Sequence, residues 1–316
     1  MQVAQNLSAR LPGDGVYGWD KEGTATVAVT DSVVRRRRLA SELRRLRMHA
    51  GLTADEVAEK LGWSASKVSR IETHRIQVKP ADLSQLLDLY QVSDAHREQF
   101  ATLAQWTRRK GWWQAYTDSL PEELTTFIAL EDEAVAVMER AMDAIPGLLQ
   151  TSDYARAVLQ VVPASVVPPR QLERAVEVRI RRQERLVGDE PLRLAVVADE
   201  AVLLRRFGTP EVMRAQLEHL IQASRQPSVT LRVLPLAAAH PVGFGHFQIM
   251  EFEAFGGDQP AISDVVSVEQ LSGMQMLDDE TVAYLHRLSF DQAAAASLEP
   301  EPSREMIARI IRDHWS

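Results

Sequence analysis

The sequence of 316 residues contains no cysteine. This absence excludes disulfide bonds and thiolate metal sites, and it is typical of proteins from reducing compartments. No run of about 20 apolar residues occurs, so no membrane-spanning helix is predicted. Residues 1–10 lack an apolar stretch followed by a small-residue cleavage site, so no secretory signal is predicted either. We therefore expect a cytoplasmic protein with no membrane partner.

Catalytic motifs are also missing. The sequence has no Gly-x-x-x-x-Gly-Lys-Ser/Thr phosphate loop, no Gly-x-Ser-x-Gly nucleophile elbow and no His-Glu-x-x-His zinc motif. His240 and His246 could share a metal, but hydrogen-bonded or surface histidines are more frequent. Asp199 and Glu200 could act as acid and base, but acidic residues also favour a helix N-terminus. We therefore predict no metal, no cofactor and no enzymatic activity.

The net charge of −8 is distributed unevenly along the chain. Residues 33–79 contain twelve basic and five acidic residues, a net charge of +7, which leaves −15 on the remainder. A basic block on an acidic chain indicates a local module that binds a polyanion. Within this block, the consecutive arginines Arg35, Arg36, Arg37 and Arg38 either form a solvated face or act as an arm that reaches phosphates or the minor groove of DNA.

The pattern of caps and turns after residue 39 predicts a series of short helices. Gly51 ends the first helix, and Thr53–Glu56 forms a capping box that begins the second. Gly62 ends the second helix, and Ser64 can cap a third helix over residues 65–72. Further helices are predicted from Pro80 and over residues 94–109.

A two-turn helix, a turn containing glycine and a second short helix are typical of a helix-turn-helix, whose second helix enters the major groove of DNA. Arginine and serine are suitable readers of base edges: arginine can bond bidentately to guanine, and a methyl group can pack on thymine. Hydroxyls at helix starts and loop residues position phosphates. The predicted DNA contacts are Thr53, Ser64, Ala65, Ser66, Lys67, Ser69, Arg70 and Arg75.

Residues 39–90 resemble the Cro-repressor-like (Xre) family of helix-turn-helix proteins. The resemblance rests on Leu52-Thr53-x-x-Glu56-Val57-Ala58-x-x-Leu61-Gly62 and Ser64-x-Ser66-x-Val68-Ser69-Arg70-Ile71-Glu72. It implies a five-helix bundle that binds a palindromic operator in double-stranded DNA as a homodimer. It also implies a structural ion pair between Arg47 and Glu72.

Residues 110–316 are predicted to form an α+β (mixed α/β) domain with about four strands. The predicted strands are Leu192–Ala198, Val229–Leu234, Phe247–Phe252 and Ile262–Val268. The predicted helices are Glu131–Asp143, Thr151–Gln160, Arg170–Val187, Pro210–Ser224, Asp278–Ala296 and Ser303–His314. The segment Arg170–Val187 is strongly basic, which indicates a face laced with salt bridges or a surface for an acidic partner.

This second half resembles the C-terminal domain of a large family of actinobacterial regulators that has no assigned function. The resemblance rests on Trp112-Trp113, Leu130-Glu131-x-x-Ala134, Ile145-Pro146-Gly147-Leu148-Leu149-Gln150-Thr151 and Arg179-x-x-Arg182-Gln183-x-x-Leu186. It implies a regulator whose C-terminal domain senses a small partner protein encoded by an adjacent gene. Trp112 and Trp113 either line a ligand pocket or belong to the core.

These observations predict a flexible arm (1–32), a DNA-binding domain (33–109) and a regulatory domain (110–316). We expect a sequence-specific transcriptional regulator, a repressor or an activator. Its C-terminal domain is expected to bind a small partner or ligand and to support dimerisation. The alternative is an antitoxin-like protein that mainly sequesters its small partner.

The basic block leads to a prediction about non-specific binding. Replacing Arg36 with alanine should weaken binding to all DNA sequences by a similar factor, because a phosphate contact carries no sequence information. The slope of log affinity against log salt should fall by about one. Fluorescence anisotropy at several salt concentrations measures both, and a loss confined to one DNA sequence would contradict the assignment.

Overall fold

A computed structural model of the chain describes residues 33–73, 75–106, 111–116, 120–161, 168–239, 245–252, 264–270 and 273–316. The predicted arm 1–32 lies outside these residues. The described residues form an N-terminal group of helices followed by a mixed α/β region. The predicted fold class is therefore confirmed for both halves of the chain.

The N-terminal region consists of five helices around one apolar core. They are α1 (Val33–His49), α2 (Ala54–Leu61), α3 (Ala65–Glu72), α4 (Pro80–Leu89) and α5 (Asp94–Trp106). The predicted extension of the last helix to residue 109 lies outside the described residues. Each helix contributes buried side chains to the core, among them Leu39, Leu43, Val57, Val68, Ile71, Leu83, Leu86 and Phe100.

The predicted caps set the boundaries of α2 and α3. The Thr53 hydroxyl accepts a hydrogen bond from the Glu56 amide (3.2 Å), and the Glu56 carboxylate accepts one from the Thr53 amide (2.7 Å). Gly62 ends α2 with a φ of 65°, a left-handed conformation that glycine adopts without a steric penalty. The Ser64 hydroxyl accepts from the Lys67 amide (3.2 Å) and so begins α3. The sharp turn between α2 and α3 is therefore built from local interactions.

The C-terminal region contains one six-stranded sheet and seven helices in its described part. The strands are β1 (Ala136–Ala141), β2 (Arg193–Asp199), β3 (Val229–Leu234), β4 (Phe247–Glu251), β5 (Val265–Gln270) and β6 (Gly273–Leu277). The helices are α6 (Glu122–Glu133), α7 (Ser152–Val161), α8 (Leu172–Arg182), α9 (Glu200–Leu204), α10 (Pro210–Ala223), α11 (Glu280–Ala296) and α12 (Pro300–His314). Short 3₁₀ helices cover Trp112–Tyr116, Gly147–Leu149, Pro169–Gln171 and Gln183–Leu186.

The sheet has the strand order β3-β2-β1-β4-β5-β6. Strands β1, β2 and β3 are parallel, and the predicted βαβ unit connects β2 to β3 through α9 and α10. Strands β4, β5 and β6 continue from the other side of β1 with antiparallel pairing. Strands β2 and β3 therefore lie on one side of β1, and β4, β5 and β6 lie on the other, so the order of strands reverses between β1 and β4.

One secondary-structure prediction is wrong, and one is approximate. The segment Glu131–Asp143 is not one helix, because α6 ends at Glu133 and residues 136–141 form the central strand β1. All six residues of β1 are buried and paired on both sides, and this tertiary environment outweighs a weak local preference for helix. The prediction of about four strands is approximate, because the sheet has six in the described part and the predicted strands do not include β1 or the short β6.

Alternate side chains of the strands enter two different apolar cores. Val137, Val196 and Met250 point to the face that α6, α8, α10 and α12 cover. Met138, Val197 and Ile249 point to the opposite face, which packs against Ala283, Phe290 and Ala293 of α11. Both faces of the sheet are therefore covered, as expected for strands rich in valine and leucine.

Helix α6 links the two regions because it contacts α1 on one side and β6 on the other. Glu131 of α6 forms a bidentate ion pair with Arg182 of α8, with both nitrogen–oxygen distances at 2.6 Å. The Glu131 and Arg182 side chains are only 2% and 6% exposed. This ion pair therefore holds α6 and α8 together inside the core.

Removing one partner of this ion pair should be costly. In Glu131→Gln the Arg182 guanidinium stays buried without a counter-charge, so we expect the free energy of unfolding to fall by about 3–5 kcal/mol. Urea unfolding followed by tryptophan fluorescence measures the change. Glu173→Gln is the matched control, since Glu173 pairs with Arg156 at the exposed surface and should change stability little. Equal losses in the two variants would contradict the prediction.

Candidate nucleic-acid interface

Helix α3 has one buried face and one exposed face. Val68 and Ile71 are 1% and 3% exposed, and they pack into the core of the N-terminal helices. The side chains of Ala65, Ser66, Ser69 and Arg70 are exposed. Four of the predicted DNA contacts therefore lie together on a surface that a ligand can reach.

An ion pair fixes α3 on α1. The Arg47 Nε atom lies 2.7 Å from Glu72 Oε1, and Arg47 Nη2 lies 2.9 Å from Glu72 Oε2. Arg47 Nη1 also donates to the carbonyl of Leu52 (2.8 Å), just before α2. The hydrogen bond to Glu72 raises the pKa of Arg47. The pair implied by the family resemblance is thus present, and it ties α1, α3 and the start of α2 to one another.

Lys67 differs from the other predicted contacts on α3. Its ammonium lies 2.8 Å from Asp82 Oδ1 and 3.5 Å from the centroid of the Trp63 ring. The side chain is only 31% exposed. Lys67 therefore connects α3 to α4 and lies over Trp63, and its charge is partly neutralised by Asp82.

Thr53 and Ser64 are exposed at the N-termini of α2 and α3, where backbone amides can bind phosphate. The Thr53 hydroxyl donates to Glu56 Oε2 (2.9 Å), and hydrogen bonds from Thr53 lower the pKa of the Glu56 carboxyl. A carboxylate therefore already occupies the N-terminus of α2. The N-terminus of α3 at Ser64 is the more favourable phosphate position, because no acidic residue lies in the first turn of that helix.

Arg75 is exposed in the segment that follows α3. The backbone of Arg35–Arg38 is helical and forms the first turns of α1, so these residues do not form an arm separate from that helix. Their contact with DNA stays a prediction. Arginine is a good helix former, which allows α1 to extend through the charged run. The side chains of Arg35–Arg38 lie outside the described part of the structure.

The tryptophan pair takes part in packing. Trp113 is 2% exposed and belongs to the main core of the C-terminal region. The Trp112 ring makes edge contacts with Trp113 and Tyr116, and its Nε1 donates to Asp132 Oδ1 (3.1 Å). Arg181 lies over the Trp112 ring at 4.8 Å. These contacts favour the core interpretation over a pocket wall.

The arginines of the basic helix α8 do not form the expected exposed face of salt bridges. Arg182 pairs with buried Glu131, and Arg179 donates to Gln150 Oε1 (3.1 Å). Just after α8, Arg185 donates to the carbonyls of Asp132 and Ala134. These arginines bind groups inside the domain, and sequence spacing could not show this because their partners lie 29 to 53 residues away.

Comparison with protein families agrees with this geometry. Residues 38–100 match a helix-turn-helix domain. Residues 124–309, more than half of the chain, match a domain of unknown function, DUF5753. The chain belongs to the DUF5753 family. The two matches confirm the predicted combination of an Xre-like N-terminal domain with an uncharacterised C-terminal domain.

A further comparison and the composition of the helices also bear on function. No curated protein matches this member of the DUF5753 family. In the described part of the chain, no helix combines the length and the apolarity required to cross a membrane. The helix-turn-helix match is therefore the functional information that the comparisons supply.

Proposed function

We propose that the protein is a sequence-specific DNA-binding transcriptional regulator that acts in the cytoplasm. The observation that carries the proposal is the exposed face of α3, formed by Ser66, Ser69 and Arg70 and held on α1 by the Arg47–Glu72 ion pair. This face lies within the residues that match a helix-turn-helix domain.

The dimensions of α3 suit the major groove. An α-helix with its side chains is about 10–12 Å in diameter, similar to the width of the groove, and the eight residues of α3 extend over about 12 Å along it. Arg70 would donate two hydrogen bonds to guanine, and Ser66 and Ser69 would contact neighbouring base edges. Ser64, Arg75 and the arginines at the start of α1 would bind phosphates and set the register of the protein on DNA.

The C-terminal domain would act in regulation rather than in catalysis. We propose that it supports a homodimer, so that two copies of α3 read the two halves of a palindromic operator about 34 Å apart. It would also receive the signal, as a ligand or as a small partner protein. The contact of α6 with α1 provides a physical connection from this domain to the DNA-binding helices.

The assignment of the recognition helix can be tested at Arg70. After the operator has been found by genome-wide mapping of bound DNA, Arg70→Ala should weaken operator binding by about 1–3 kcal/mol and relax the preference at one base position. Arg206→Ala is the control, because Arg206 is exposed in the C-terminal region far along the chain from α3. Unchanged operator affinity in Arg70→Ala would remove α3 as the reading helix.

An antitoxin-like role is a second candidate, and one surface favours it. Tyr284, Leu285 and Leu288 of α11 are 64%, 55% and 43% exposed, and they share the helix face turned away from the sheet. A cluster of exposed apolar side chains is a common feature of protein-binding surfaces.

Co-expression with the adjacent reading frame tests this role. The product of that frame should co-purify with the wild-type chain and should be lost from Leu285→Asp. It should be retained by Leu236→Asp, a control at another exposed leucine. If no complex forms with the wild-type chain at micromolar concentration, the sequestration role is wrong.

A further inference from the structure

A cluster of polar side chains lies inside the C-terminal domain, on the sheet face that α8 covers. We call it the sheet-face cluster, and it consists of Glu139 on β1, Gln248 on β4 and His246 just before β4. Glu139 is 1% exposed, and Gln248 stands directly opposite it in the sheet. Gln248 Nε2 donates to Glu139 Oε2 (2.7 Å), and His246 Nε2 lies 3.5 Å from Glu139 Oε1.

Two atoms of this cluster have unused hydrogen-bonding capacity. Among the described residues, neither Gln248 Oε1 nor His246 Nδ1 has a hydrogen-bond partner, although both atoms are buried. Gln248 as a whole is 6% exposed. Buried polar atoms are nearly always hydrogen-bonded, so a water or a ligand with hydrogen-bond donors is expected at these two atoms.

Arg179 of α8 supplies a positive charge within electrostatic range of Glu139. Its Nη1 donates to the neutral amide of Gln150, whereas the charge of the neighbouring Arg182 is paired with Glu131. Burial lowers the pKa of Arg179 to about 10. The carboxylates within electrostatic range are, in order of effect, the exposed Glu269, then Glu139, then Glu131, which already pairs with Arg182.

Neither Glu269 nor Glu139 is a strong counter-charge for this guanidinium. Glu269 is exposed, so water screens its charge. Burial raises the pKa of Glu139, which favours the neutral acid. Because the cost of burying a cation falls when a fully charged anion approaches it, Arg179 is well placed to receive an acidic group.

The position of the cluster in the fold agrees with ligand binding. In open α/β sheets, ligands bind beyond the carboxyl ends of parallel strands, where the order of strands reverses. In this sheet the reversal lies between β1 and β4. Glu139 lies in the carboxyl-terminal half of β1, and His246 and Gln248 lie at the start of β4.

We propose that the sheet-face cluster and Arg179 form the binding site for a small organic acid that carries a hydrogen-bond donor close to its carboxylate. The carboxylate pairs with the Arg179 guanidinium. The donor, an amine or a hydroxyl, reaches Gln248 Oε1 and His246 Nδ1. Amino acids and hydroxy acids share this chemistry.

The proposed site is connected to the DNA-binding helices through α8 and α6. Arg182 lies one helical turn after Arg179 and binds Glu131 of α6, and α6 contacts α1. An acid bound at Arg179 therefore acts on α8, and the Arg182–Glu131 ion pair connects α8 to α6. This regulatory consequence rests on the proposed function, whereas binding of the acid does not.

The first experiment measures binding to the full chain. The probes are the twenty standard L-amino acids and the hydroxy acids lactate, malate and citrate, each added separately at millimolar concentration. At least one acid should raise the Tm of the protein, and isothermal titration calorimetry should show saturable binding. A response to amino acids identifies an amine as the donor, and a response to hydroxy acids identifies a hydroxyl. If no acid of either set binds, the proposal is overturned.

Single-residue variants then test which side chains form the binding site. Arg179→Gln should weaken binding of the responding acid by about tenfold or more. Arg181→Gln should leave it unchanged, because Arg181 is on the same helix but lies over Trp112. Gln248→Met removes the unpaired acceptor at similar side-chain length, and it replaces Arg179→Gln if circular dichroism shows that the latter does not fold. Wild-type affinity in the folded variant would overturn the assignment.

The same titrations separate this inference from the proposed function. Operator binding is measured for the wild-type chain with and without the responding acid. Operator binding without any acid binding overturns the ligand site alone. Acid binding that requires Arg179, in a chain that binds no DNA sequence selectively, overturns the proposed regulator and leaves the site in place.

Discussion

The buried ion pair between Glu131 and Arg182 joins α6, the helix that contacts both regions of this molecule, to α8 of the C-terminal domain. Glu131 lies on α6, which contacts the first helix of the DNA-binding region. Arg182 lies on α8, whose Val178 belongs to the main core on one face of the sheet. Each charge is stable in the core only because the other is present. The position of α6 is therefore set by electrostatics as well as by packing. A movement of Arg182 on α8 would change the ion pair that holds α6.

The N-terminal helices could be predicted from the sequence because their boundaries depend on neighbouring residues. The capping box of Thr53 and Glu56, the glycine at position 62 and the cap at Ser64 act over two to four residues. The exposed face of α3 followed from the same periodicity. The position of Lys67 did not follow, since its partner Asp82 lies on the next helix, 15 residues away.

The C-terminal domain was harder to predict because its decisive contacts are distant in sequence. The local sequence of β1 predicts helix, because only pairing with β2 and β4 shows that residues 136–141 are extended. Gln248 and Glu139 are 109 residues apart, and no local pattern connects them. A weak signal did exist: Glu139 and Arg140 interrupt an otherwise apolar stretch, and charges in such a place are seldom without a role.

The engagement of Lys67 by Asp82 and Trp63 affects how the protein would search for its site on DNA. Within α3, Arg70 is then the one basic side chain that is exposed, so the helix that reads bases contributes little to general attraction. The long-range attraction would come instead from the arginine-rich start of α1. Searching and reading are thus assigned to different helices. Substitutions on α3 can change which sequence is chosen while the speed of the search stays the same, so the target repertoire can diverge without any loss of efficiency in finding DNA.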